Sequence, residues 1–174
     1  RQFLLCVAGG LLGSPVLAAD ATLGFGAAIN KAGRQRMLTQ RMAKAYAMQS
    51  AGVMPDRAGM LLDSSRRLFE AQLTELKSFA PTDAIQTALQ TLDTAWRLYR
   101  EVLTRPRTSE NARLVLAESD NTLRAAHVLT GLYEKQSASG AGRLVNLSGR
   151  QRMLSQRMAK CFLFEQSGVA AGNL

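Results

Sequence analysis

The sequence predicts an all-α protein: an antiparallel four-helix bundle with a long or kinked C-terminal helix that carries a second copy of the first-helix motif. Three observations carry this. Apolar residues recur at helical spacing in successive stretches, alternating β-branched or aromatic runs are absent, and one basic helical motif occurs twice. With 174 residues, 47% of them apolar and 20% charged, the chain can bury one sizeable core and is too apolar for a disordered tail.

The first helix should begin between Leu23 and Ile29 and run to about Ser50, with Gly52 and Pro55 as its stop signals. A second is expected from about Asp56 to Phe79, with Leu62, Phe69, Leu73 and Leu76 along its core face and Pro81 beyond its end. Thr82 or Asp83 caps a third, whose stripe is Ile85, Leu89, Leu92, Trp96, Tyr99 and Leu103 and which stops before Pro106. Ser109 opens the fourth, with Leu116, Leu123, Ala126, Thr130 and Tyr133 facing the core. The short connections make sequential neighbours antiparallel. Between Ser137 and Gly142 the sequence weakens, yet the 3-4 spacing of apolar and small positions continues to Leu144 and Leu147, which favours a continuous or kinked helix over a loop.

Residues 1–19 read as a signal peptide. Arg1 leads an apolar run from Phe3 to Leu17, and small residues ahead of Asp20 supply a cleavage site. The formal charge of +9 would point a cytoplasmic protein towards nucleic acid, but an exported, periplasmic one has no such partner. Cys6 lies within the leader, so after cleavage Cys161 stands alone and no intrachain disulfide is expected. Nothing after Asp20 is apolar enough to span a bilayer.

The motif runs from Gly33 to Lys44 and again from Gly149 to Lys160, with only Thr39 replaced by Ser155. Packing alone needs a pattern of apolar and polar positions, so near-identity of the polar residues implies that something reads them. The offset of 116 residues is about one four-helix unit, and Gly52-Val53 returns as Gly168-Val169 at the same offset. The expected organisation is therefore a leader (1–19), a four-helix sensory domain (20–140) and the start of a second repeat unit, helix one only (141–174), in a chain belonging to a longer tandem protein.

Each copy carries three arginines. Arg34 and Arg41 share a face with Asn30, Met37, Lys44 and Met48, where pairing with acids of other helices or simple solvation accounts for them. Arg36 instead lies in a stripe of mostly small residues with Gly33, Gln40, Ala43 and Ala47. A guanidinium there is costly to bury without an anionic partner, and its planar fork matches an oxyanion. A helix-interior glycine costs roughly 1 kcal/mol against alanine, so Gly33 points to close backbone approach or a local break.

The stretch Ile-Asn-Lys-Ala-Gly-Arg-Gln-Arg-Met-Leu-Thr-Gln-Arg-Met, residues 29–42, closely resembles the opening helix of the PilJ-type domain, the N-terminal sensory domain of type IV pili methyl-accepting chemotaxis proteins. It is also similar to the periplasmic box of nitrate/nitrite sensor kinases, departing from it at Arg34-Gln35. The resemblance implies an extracytoplasmic four-helix bundle, a homodimer that holds nitrate or a similar small anion at the interface between its subunits, and a membrane-bound signalling partner. Carried over by position, the ligand-binding residues are Gly33 and Arg36, with Gly149 and Arg152 in the second copy; Gln40 joins them from the stripe.

Other chemistry finds little support. The lone histidine, His127, has no cysteine or paired acid at ligand spacing, and Cys161 stands where the first copy has Ala45. Met37, Met42, Met153 and Met158 fall at core-like spacing. No catalytic residue, metal or cofactor is expected. The competing function is a structural helical interaction module without a small-molecule ligand; a basic helix lying on lipid is disfavoured because Arg36 and Gln40 interrupt the inserting face.

Overall fold

The computed structural model describes residues 23–169. The expected signal peptide, residues 1–19, lies outside them. Five helices follow in order: α1 (Phe25–Ser50), α2 (Pro55–Lys77), α3 (Asp83–Thr104), α4 (Ser109–Ser137) and α5 (Gly140–Gln166), with no strand among the described residues.

The stop and start signals act where the sequence places them. Gly52 takes the left-handed conformation at φ 66° to close α1, and Pro55 occupies the first turn of α2, where its missing N–H costs nothing. The Thr82 hydroxyl accepts from Ile85 N at the start of α3. At α4 the cap is Thr108, one residue before the expected Ser109; its hydroxyl accepts from Asn111 N.

Helices α1 to α4 form the expected antiparallel bundle. Gln35 Nε2 donates to Phe69 O and Lys31 pairs with Glu75, so α2 runs against α1. Lys77 and Asp93 tie α2 to α3, and Gln40 Nε2 donates to Ser119 O to tie α1 to α4. Phe69 stacks on Trp96 with ring centroids 4.2 Å apart. Buried tyrosines bond across the bundle, Tyr99 Oη to Thr39 O at 2.8 Å and Tyr133 Oη to Phe79 O at 2.6 Å. Burial pushes the Tyr133 hydroxyl up to about 12.

The final connection differs from the expected continuous or kinked helix. Helix α4 ends at Ser137, Ala138 turns left-handed at φ 47°, and Ser139 caps a new helix by accepting from Gly142 N at 3.0 Å. Ser139, Gly140 and Gly142 hold a helix weakly, and the Ser139 cap competes successfully with helical continuation. The chain therefore reverses. Asn146 bonds Glu134 and Lys160 Nζ pairs with Asp120 at 2.8 Å, which sets α5 antiparallel to α4 and hence parallel to α1.

Helix α1 becomes the central element, enclosed by α2, α4 and α5. Ala28, Ile29, Leu38, Met42 and Tyr46 have no solvent exposure at all. Met37, Met42 and Met153 are core residues as their spacing predicts, but Met158 is 74% exposed because α5 has cover on its inner side alone. Trp96→Ala should cost about 3–5 kcal/mol in chemical denaturation, while Leu98→Ala on the exposed face of α3 should cost under about 0.5 kcal/mol.

Candidate functional site

The two copies of the motif meet. Helices α1 and α5 run side by side in parallel and in register, so Gly33 faces Gly149. A methyl group at Gly149 would stand 3.9 Å from the Gly33 Cα. This is the close backbone approach that an interior glycine in each copy predicts.

Each arginine after the glycine reaches back one turn, as helical side chains do, to the asparagine of the other copy. Arg36 Nη2 donates to Asn146 Oδ1 at 2.6 Å and Asn146 O at 3.2 Å. Arg152 Nη2 donates to Asn30 Oδ1 at 3.5 Å. The reciprocal pattern is a local pseudo-two-fold, with the axis passing between the glycines.

The two halves differ in cover. Arg36 is fully buried because α4 closes over it, whereas Arg152 has no such helix beside it and is exposed. Arg36 Nη1 lies 3.2 Å from His127 Nδ1 on α4. A guanidinium only donates, so Nδ1 accepts and the imidazole is neutral, with its proton on Nε2. Arg36 Nε is buried without a hydrogen-bond partner.

Among the described residues no carboxylate bonds Arg36 directly, and Glu134 approaches Asn146 instead. Burial lowers the guanidinium pKa from its ordinary value, Arg150 lowers it further, and Glu134 opposes both. The methyl positions of the glycines lie within reach of both guanidinium groups: 3.3 Å from Arg36 Nη2 at Gly33, and 3.5 Å from Arg36 Nη2 and 3.9 Å from Arg152 Nη2 at Gly149. The crossing thus gathers two positive forks, one desolvated, around a point that the two glycines leave without side chains.

Of the residues read from sequence, Gly33, Arg36, Gly149 and Arg152 come together here. Gln40 does not: it lies a turn further along α1, bonded to Ser119 O on α4 with its Oε1 unpartnered. Asn30, Asn146 and His127 complete the cluster. The asparagines recur three residues before each glycine, a repetition visible in the sequence; nothing in the sequence marks His127. Among the described residues no group of metal-ligating side chains forms.

A family model described as type IV pili methyl-accepting chemotaxis transducer N-term, PilJ, matches residues 21–122. The chain belongs to this family. The matched part of this PilJ domain takes in the first copy of the motif and all of α1 to α3, and ends within α4, before the second copy. Comparison with curated proteins and with solved structures gives no match. Membership makes the PilJ bundle a signal-transduction sensory domain, and the first-copy half of the crossing lies within the matched residues. Among the described residues no helix is long and apolar enough to cross a membrane.

Burial, Arg36 and Arg150 all lower the His127 pKa from the ordinary imidazole value of about 6.5. Between the folded and unfolded values the unfolded chain binds more protons, so this contribution to stability is complete above about pH 6.5 and is lost as pH falls through the folded value. In anion-free buffer the melting temperature should fall between pH 7.5 and 5.5, and His127→Gln should flatten that fall. Equal slopes in the two proteins would contradict the Arg36 to His127 contact.

Proposed function

We propose that this PilJ domain is a periplasmic sensor that recognises a small planar anion of the nitrate or nitrite class at the α1–α5 crossing. The observation that carries the reading is Arg36, fully buried in a gap between two glycines with no carboxylate bonded to it and Nε unpartnered. A buried charge of this kind is stabilised by an anion that takes up its free donor and neutralises it. Arg152 supplies the second fork from the other side of the crossing.

The proposed site lies within one chain rather than between subunits. The second copy of the motif meets the first at Gly33 and Gly149, so one chain holds both halves. Ligand binding would draw Arg36 and Arg152 towards the anion and away from Asn146 and Asn30, altering how α5 sits on α1. A membrane-bound signalling partner, and a homodimer where one forms, would read that change.

A second reading has its own support. Both η nitrogens of Arg36 already have protein partners, in Asn146 and His127. The motif would then be a polar lock that holds two helices in register, and the domain an interaction module.

Isothermal titration of the purified domain with nitrate, nitrite and other small oxyanions separates the two. The sensor reading expects one anion per chain, and at least about a tenfold loss of affinity, 1.4 kcal/mol, in Arg36→Lys and in Arg152→Gln. Arg152 is exposed, so its substitution tests binding without disturbing the core. Absence of binding by every anion, or unchanged affinity in both variants, leaves the polar-lock reading.

A further inference from the structure

The outer face of α5 repeats the buried face of α1, with none of the other described helices packed on it. Leu154, Met158 and Phe162 are 38%, 74% and 60% exposed, and their counterparts in the first copy, Leu38, Met42 and Tyr46, are each 0% exposed. Gln151 is exposed in the same stripe, while its counterpart Gln35 is buried and donates to Phe69 O on α2. In the first copy, then, this set of four positions is built to lie beneath α2 and its neighbours. An apolar helical face of this width left in water is costly and marks an interface.

The exit from α5 repeats the exit from α1 as well. Gly52 and Gly168 are left-handed at φ 66° and 67°. Val53 N donates to Met48 O at 2.8 Å, and Val169 N to Phe164 O at 3.0 Å. In α1 this turn launches α2 into contact with the face just described. The same turn after α5 aims the backbone the same way across the pseudo-two-fold.

A second copy of this chain suits the face poorly. Lys160 is buried against Asp120, which leaves Arg143, Arg150, Arg152 and Arg157 on α5 with a single acid, Glu165, so pairing α5 with α5 brings like charges together. We propose instead that α5 is the first helix of a second bundle, and that its outer face docks a three-helix layer of the α2–α4 kind entered through the Gly168 turn. That layer would present an apolar aromatic face to Leu154, Met158 and Phe162 and a main-chain carbonyl to Gln151. It would also give Arg152 the cover that α4 gives Arg36. This inference is independent of what, if anything, binds at the glycine crossing.

The test uses the full chain carrying Cys6→Ser, so that Cys161 is its only thiol. Cys161 is partly exposed, and its counterpart Ala45 is fully buried. A second protein carries a copy of residues 54–137 joined after Val169, in the register of the repeat. Maleimide labelling of Cys161 should slow at least about tenfold in the extended protein, as expected for a site opened only by local unfolding. Unchanged labelling, in an extended protein whose helical signal has risen with its length, overturns the proposal.

A second measurement does not depend on the added segment folding. In the chain as it stands, Met158→Glu should leave the melting temperature unchanged, while Met42→Glu should abolish the cooperative transition. If the unextended chain sediments as a dimer that Met158→Glu dissociates, the face serves a second copy and the proposal is overturned.

Discussion

The close parallel contact of α1 and α5 at Gly33 and Gly149 governs the rest of the structure. Glycine in both helices lets the backbones come together until a methyl group at Gly149 would touch the Gly33 Cα, and that approach helps to fix register. Register in turn sets Asn30 beside Arg152 and Asn146 beside Arg36. The reversal at Ala138 serves this contact: had α4 continued through residues 138–142, the second copy of the motif would have run away from the first. Ser139, Gly140 and Gly142 are therefore as much a part of the crossing as the arginines.

Burying Arg36 is the main energetic cost of the arrangement. An uncompensated guanidinium in a protein interior is destabilising by several kcal/mol, and three acceptors, two from Asn146 and one from His127, together with the more distant charge of Glu134, offset part of it. The remainder is carried by the apolar packing of α1, whose side chains are enclosed along nearly its whole length. A sensor has use for such a balance. A centre held with incomplete compensation responds to an added anion with a shift in helix packing, whereas a fully neutralised one would not.

Much of this was legible in the chain itself. The four bundle helices follow from Gly52, Pro55, Thr82 and Pro106 and from apolar spacing, because caps, breakers and amphipathic stripes act locally. Gly33 and Arg36 were readable as a close approach and a costly burial for the same reason: each is a poor local choice that a tertiary contact must repay. The PilJ resemblance of residues 29–42 agrees with the family match over residues 21–122. The course of α5 was not legible. Periodicity is blind to direction, and the 3-4 spacing through residues 137–147 fits a continuing helix as well as a reversal with a capped restart. The partnership of Arg36 with His127 joins residues 91 apart on antiparallel helices, a distance over which sequence pattern carries no information. Met158 shows the same limit from the other side: its spacing is that of a core residue, and only the absence of a neighbouring helix among the described residues leaves it exposed.

The account stands on α5 lying parallel to α1 with residues 116 apart in register. Spin labels at the exposed helix ends Ser50 and Gln166, in a chain carrying Cys6→Ser and Cys161→Ala, report this directly by pulsed dipolar spectroscopy on dilute protein. A parallel, in-register pair predicts a short separation, the roughly 10 Å spacing of packed helices plus the reach of the labels. An antiparallel or detached α5 moves the Gln166 label by up to its own length, about 40 Å, and a distance in that range would contradict the structure on which the paired motif, the buried arginine and the proposed site depend.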